Sequence, residues 1–254
     1  MQSKRIVLIT GANRGLGLKL AEVLAEKYSL ILTARKHEEL QIIKDNLQKK
    51  FQNLEIRTHQ LDISKKESVN NLKDWLIQQK LKIDVLMNNA GVSQNPRQII
   101  DINVLGTIDV SEQLLPTLTD DGKIILVASI LGKLESQPKE LKQQLQQKIT
   151  KEEIIKLSEE FIKENNNNLA VYSASKALIN AYGRYVLSGL VKPNQSVYCM
   201  HPGWIKTDMG GPQAPGSLDD GVVTSQFLIN NLPFQRDEKY HGKYFNDKAQ
   251  IEDF

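Results

Sequence analysis

The chain has 254 residues, 40% of them hydrophobic and 25% charged, the balance of a soluble globular protein and a length that an open α/β sheet commonly fills as one unit. A formal charge of +3 gives no electrostatic reason for nucleic acid or an acidic membrane as partner, and no apolar stretch is long enough to span a bilayer. The single cysteine, Cys199, excludes an internal disulfide and reads as a small buried hydrophobe in a reducing compartment.

Met1 to Lys4 carry no secretory pattern, so a cytoplasmic protein is expected, with residues 1–254 forming a single domain. Arg5 to Thr10 is a continuous, β-branched-rich run, which predicts a strand buried on both faces. Thr10 to Gly17 follows as Thr-Gly-Ala-Asn-Arg-Gly-Leu-Gly, and Leu18 to Tyr28 has a helical pattern. Strand, glycine-rich turn and helix together point to a nucleotide. Gly11 allows the tight turn, Gly15 and Gly17 allow close approach to a pyrophosphate, and the helix N-terminus offers free N–H groups. Asn13, Arg14 and Leu16 fill the rest of this turn and are candidate cofactor contacts.

Leu30 to Thr33 is a second strand, ending in Ala34-Arg35-Lys36. An Asp or Glu at this strand end would bind a ribose 2′-hydroxyl, and neither is there. Arg35 and Arg14 instead suit a 2′-phosphate with no carboxylate to repel it, which predicts NADPH over NADH. The alternative is that Arg35 and Lys36 are solvated loop charges. Glu38 to Lys50 reads as an amphipathic helix and Leu54 to Thr58 as a strand. Asp62 either caps a helix beginning near Lys65, as Ser64 also can, or meets the cofactor together with Ile63.

Ile83 to Met87 is the fourth strand, with Asn88-Asn89-Ala90-Gly91 at its carboxyl end, where ligands sit in open α/β sheets. Asn103 is a poor helix former in an apolar stretch. Lys123 to Ala128 is the fifth strand and ends at Ser129, the only hydroxyl there, placed to orient a substrate carbonyl. Lys139 to Lys163 predicts two amphipathic helices broken near Ile149, with Thr150 to Glu153 as a capping box and Asn165 to Asn168 as a mobile connector.

Tyr172 and Lys176 stand four apart, on one face of a helix running to Leu190. An ammonium beside a phenol favours phenolate, which suits a group that moves a proton at a carbonyl oxygen. Ser196 to Met200 is the sixth strand, followed by His201, Pro202, Gly203, Trp204 and, further on, Thr207. His201 reads as a satisfied structural histidine, and Trp204 as either a pocket wall or a core aromatic. No residues cluster as a metal site. Gly210 to Ser217 reads as a mobile loop over the site, Leu218 to Leu232 as a helix, and Lys243 to Phe245 as the last strand.

The Gly-x-x-x-Gly-x-Gly spacing from Gly11, Asn-Asn-Ala-Gly at 88–91 and Tyr-x-x-x-Lys at 172–176 come in the order of the short-chain dehydrogenase/reductase family, which the chain resembles over nearly its whole length. The long stretch between Ser129 and Tyr172, and Pro-Gly-Trp followed by Thr-Asp-Met, resemble its carbonyl reductase branch. The resemblance implies a catalytic set of Asn103, Ser129, Tyr172 and Lys176. In it Tyr172 gives the proton, Ser129 orients the oxygen, Lys176 binds the nicotinamide ribose and lowers the Tyr172 pKa, and the Asn103 carbonyl holds a water leading to Lys176. It also implies that Asp62 meets adenine, that Asn89, Ala90 and Gly91 lie by the adenine ribose, that Pro202, Gly203 and Trp204 lie at the nicotinamide, and that Thr207 binds its carboxamide or a phosphate. Ile130 and Trp204, with Ser129 and Tyr172, would face the substrate.

The expected fold is therefore a doubly wound parallel seven-stranded sheet, a Rossmann fold, with a helical insertion at about residues 133–168. In the branch that insertion covers a tetramer-forming surface, which implies a monomer. The expected activity is NADPH-dependent reduction of a ketone, aldehyde or quinone carbonyl. The alternatives are a non-enzymatic NADPH-binding sensor or scaffold, and an NAD-dependent alcohol dehydrogenase.

Overall fold

Apolar runs without polar alternation need cover on both faces, and the chain supplies it with helices from either side of one sheet. The computed structural model describes residues 4–51 and 54–254, so the reading of Met1 to Ser3 lies outside the described residues. The strands are β1 (Ile6–Thr10), β2 (Ser29–Ala34), β3 (Ile56–Gln60), β4 (Ile83–Asn88), β5 (Leu118–Val127), β6 (Ser196–Met200), β7 (Lys243–Phe245) and β8 (Ile251–Glu252). They lie in the order β3-β2-β1-β4-β5-β6-β7-β8. The first seven are parallel, and β8 pairs antiparallel to β7.

The eighth strand is a correction to the seven expected. It is too short to show a pattern, and a turn in which the Asn246 N–H meets the Gln250 carbonyl at 2.9 Å folds it back on β7. β3 runs two residues later than expected, because this edge strand is only partly buried and its apolar pattern fades before its pairing ends.

Alternate residues of each strand feed opposite cores. Leu8, Ile31 and Leu86 pack with Leu72 of α3 (Lys66–Gln78), Val110 of α5 (Thr107–Leu114) and Leu178 of α8 (Asn168–Ala181). Val7, Ile9, Leu32 and Met87 pack with Leu20 of α1 (Gly15–Leu24), Leu40 of α2 (His37–Lys50) and Leu228 of α10 (Leu218–Asn230). Sequence order reverses between β1 and β4, which opens a crevice at their carboxyl ends.

The stretch between Ser129 and Tyr172 holds two helices, Lys139–Leu145 and Lys151–Glu164. The second starts at the expected capping box, with the Thr150 hydroxyl accepting from the Glu153 N–H and the Glu153 carboxylate accepting in return. The asparagine run after it is not the loose connector expected. Asn167 caps α8 by accepting from the Ala170 N–H at 3.0 Å, and Asn165 binds back to the Phe161 carbonyl.

One buried cation braces the sheet beneath the site. Lys123, fully buried, donates to the carbonyls of Leu228 (2.8 Å), Ile229 (3.2 Å) and Leu232 (2.8 Å) at the end of α10, and lies 4.1 Å from the Phe234 ring centre. Burial pushes its pKa down to about 7. Three carbonyls and the negative end of a helix favour the charged form and oppose that push. Lys123→Met leaves these acceptors unpartnered, and a loss of about 2 kcal/mol is expected from urea unfolding. An unchanged urea midpoint would show that the carbonyls find other donors.

Candidate active site

The site is a cleft of about 1320 Å³ along the carboxyl ends of the central strands. Its floor at the switch point is closed by Thr10. The Thr10 hydroxyl accepts from the N–H groups of Asn89 and Ala90, both at 3.0 Å, and the Asn89 amide donates to the carbonyls of Thr10 (2.8 Å) and Gly11 (3.1 Å). This stitches β1 to β4.

The glycine turn then runs up against β4. Gly11 has φ +66, and a Cβ there would come within 2.9 Å of the Ala90 Cα. A Cβ on Gly17 would press on the Gly11 carbonyl and come within 2.6 Å of the Asn89 amide nitrogen. Only hydrogen at these positions lets α1 begin this close to the sheet. α1 opens at Gly15 with Arg14 before it and no side chain capping its first N–H groups, which face the cleft.

At the other end of the cleft, α8 brings Tyr172 and Lys176 beside Ser129 at the end of β5. Lys176 is almost fully buried and its ammonium donates to the Val127 carbonyl at 2.9 Å, 5.7 Å from the Tyr172 ring centre. Burial pushes the Tyr172 phenol up, and a hydrogen bond from the Ser129 side chain works the other way. Burial pushes Lys176 down to about 8. The net direction for Tyr172 is therefore up, where the sequence reading looked for a fall, because burial disfavours charge on both groups. The Ser129 main chain is held from below by Tyr244, whose buried hydroxyl donates to the Ser129 carbonyl at 2.9 Å.

Asn103 lies in a π-helical turn, Ile100–Gly106, so the helix is distorted there. Its side chain accepts from the Val92 N–H (2.9 Å) and donates to the Val92 carbonyl (2.9 Å) and the Ser175 hydroxyl (3.1 Å). Gly91 separates it from Lys176: a Cβ on Gly91 would lie 3.2 Å from Asn103 Oδ1 and 3.4 Å from Lys176 Nζ. Asn103 therefore stands behind the cleft wall. Every other expected contact, from Gly11 in the first turn to Thr207 after β6, lines the cleft itself.

Two open readings narrow, at Asp62 and Trp204, and one expectation changes, at His201. Asp62 caps no helix. It accepts from the Ser64 N–H (3.1 Å) and hydroxyl (2.7 Å) in a tight turn, and α3 starts later, with no side-chain cap from Ser64. His201 is buried but not satisfied, because Nδ1 accepts from the Gly203 N–H at 3.1 Å while Nε2 has no partner among the described residues. Trp204 is no core aromatic. It is 54% exposed at the cleft, with its indole N–H on the Gly210 carbonyl at 2.8 Å.

Sequence reasoning missed two carboxylates in the cleft. Asp208 pairs with Arg14 at 2.7 Å, and Glu39 accepts from the Asn13 amide at 2.7 Å and pairs with Lys36 at 3.1 Å. The expectation of an Arg14–Arg35 site free of carboxylate is thereby corrected, since Glu39 reaches it from the first turn of α2 rather than from the end of β2. Leu169, 63% exposed at the mouth, was also missed, although its place three before Tyr172 on one helix face was a usable signal.

Among the described residues no group of acidic, histidine or cysteine side chains could hold a metal, and no helix is long and apolar enough to cross a membrane.

Known proteins match both the sequence and the fold. Residues 5–141 match the family described as short chain dehydrogenase. Carbonyl reductase [NADPH] 1 of Mus musculus is 30% identical, with 97% of each chain covered. Carbonyl reductase [NADPH] 1 of Sus scrofa is 31% identical, covering 98% of this chain and 94% of the relative. Salutaridine reductase from Papaver somniferum superposes with a TM-score of 0.85 over 96% of this chain and 100% of that one, at 22% identity that speaks for the fold alone. With more than half of the chain inside the family match and near-complete coverage of relatives at this identity, the chain belongs to the short chain dehydrogenase family.

Proposed function

We propose that the protein is an NADPH-dependent carbonyl reductase that converts a ketone, aldehyde or quinone carbonyl to the alcohol. The observation that carries this is one cleft with an uncapped helix N-terminus and a glycine cradle at one end and Ser129, Tyr172 and Lys176 at the other. The curated relatives named carbonyl reductase [NADPH] support the same cofactor.

The residues present fit that cofactor. The space kept open at Gly11 and Gly17, the free N–H groups of α1 and the cations Arg14, Arg35 and Lys36 suit a pyrophosphate and a 2′-phosphate. Asp62 and Ile63 would hold the adenine, and Asn89 to Gly91 its ribose. Lys176 would hold the second ribose, and Pro202, Gly203 and Thr207 the nicotinamide, which supplies the hydride when bound.

The chain's own residues do the rest. Ser129 accepts from the Leu131 N–H at 3.3 Å, which fixes its oxygen, and its O–H, directed at the Tyr172 oxygen, would turn to the carbonyl oxygen of a substrate placed between them. Tyr172, its pKa raised by burial, stays a neutral phenol at working pH and gives its proton to the oxygen as negative charge develops there. The Lys176 ammonium then stabilises the phenolate that remains. Asn103 braces Val92 and Ser175, and Ser175 in turn binds the Tyr172 carbonyl at 2.7 Å, so the pair is held in register. Ile130, Leu169, Trp204 and Met209 give the substrate end an apolar rim.

The test is steady-state turnover of aldehydes, ketones and quinones with NADPH and with NADH. About tenfold or greater preference for NADPH in kcat/KM is expected from the cations at the adenosine end. Binding of NADPH without turnover of any carbonyl would favour a sensor. Equal use of NADH would remove the phosphate reading.

A further inference from the structure

We infer that Glu39 is a specificity-determining residue that weakens the cleft's grip on a 2′-phosphate and so narrows the choice between phosphorylated and unphosphorylated cofactor; this rests on the cofactor reading above. Glu39 lines the same end of the cleft as Arg14, Arg35 and Lys36. Its carboxylate accepts from the Asn13 amide at 2.7 Å and pairs with Lys36 at 3.1 Å. The Asn13 hydrogen bond first, and Lys36 second, hold its pKa below the usual carboxylate range, so it is ionised at neutral pH.

Two effects follow from that placement. Glu39 neutralises one of the cations available to a phosphate, and it adds a negative charge beside a group that carries nearly two. Arg14 is similarly occupied, paired with Asp208 at 2.7 Å across the cleft. A 2′-phosphate has to displace carboxylates to reach either cation. An unphosphorylated ribose meets no such competition, and the Glu39 carboxylate can accept from its hydroxyls. Glu38 provides a control on the same helix turn. It gives the same acidic complement to the start of α2 but does not line the cleft.

The experiment is calorimetric titration of the full chain with 2′,5′-ADP and with 5′-AMP, which differ only in the 2′-phosphate, for wild type, Glu39→Gln and Glu38→Gln. Glutamine keeps an acceptor for Asn13 and removes only the charge. In Glu39→Gln, binding of 2′,5′-ADP is expected to tighten by roughly 3- to 10-fold, while 5′-AMP stays within about twofold or weakens. Glu38→Gln is expected to move neither. Equal changes for both probes, no change in Glu39→Gln, or the same gain in Glu38→Gln would overturn the inference. The cofactor reading is judged separately, by which probe the wild type prefers, so the two can fail independently.

Discussion

Tyr172→Phe is expected to lower kcat by about 10³-fold while leaving NADPH affinity within about twofold. The substitution removes one oxygen from a side chain that α8 holds in place through its neighbours. Ser173 and Ser175 keep their bonds to the Leu131 and Tyr172 carbonyls, and Lys176 keeps the Val127 carbonyl. The loss is therefore chemical rather than structural. It is expected to be confined to turnover, because in the proposed mechanism the phenol carries the proton, whereas the glycine cradle and the cations carry cofactor binding. Rapid-mixing turnover beside fluorescence titration of NADPH separates the two. Wild-type turnover in this variant would show that the proton comes from elsewhere.

The second large effect is expected at Lys176. Lys176→Met keeps the length of the side chain and removes the ammonium beside the phenol, with kcat expected to fall by about 10²–10³-fold and NADPH affinity also weakened. The same residue makes a statement about stability. Its folded pKa is pushed down by burial to about 8, against 10.5 for the free side chain. Below about 8 both folded and unfolded chains carry the proton, and the folded state bears the full cost of burying it. Between about 8 and 10.5 the unfolded chain binds more protons, so this group's contribution to stability rises with pH. Cys199, pushed up to about 12 from 9.0 by burial, pulls the other way above its unfolded pKa, so the difference between the two proteins is the quantity to follow. Thermal unfolding of the cofactor-free chain across this range is expected to show wild type gaining on Lys176→Met as pH rises. Parallel curves would mean that the ammonium is not desolvated.

Much of the cofactor cradle was legible because local backbone geometry demands particular residues. Gly11 and Gly15 have φ +66 and +54, conformations that favour glycine, and they sit between a buried strand and an uncapped helix as the spacing implies. The Thr150–Glu153 cap and the one-turn spacing of Tyr172 and Lys176 were legible for the same reason, since each is set within a single turn. What escaped depends on contacts distant in sequence. Asp208 reaches Arg14 across the cleft, and Glu39 enters from the next helix rather than from the strand end where a carboxylate was sought. The upward direction of the Tyr172 pKa was not legible, because spacing shows a neighbouring charge but not burial. Lys123 was read only as the start of a strand, although its ammonium closes the end of α10 from within the core. Asn103 was singled out as a poor helix former. Its actual partners, Val92 and Ser175, come from two other segments and could not be counted from its neighbours.

Label transfer shows whether hydride and proton meet at one carbonyl in this cleft. NADPH carrying deuterium at both C4 positions would be mixed with an aldehyde or quinone that the enzyme turns over, in ordinary water. One deuterium is expected on the former carbonyl carbon of an aldehyde product, or for a quinone a primary isotope effect on loss of NADPH absorbance, with the rate of either reaction falling about 10³-fold in Tyr172→Phe. An aldehyde product without deuterium at that carbon, or loss of NADPH absorbance that persists unchanged in Tyr172→Phe, would contradict the proposed mechanism.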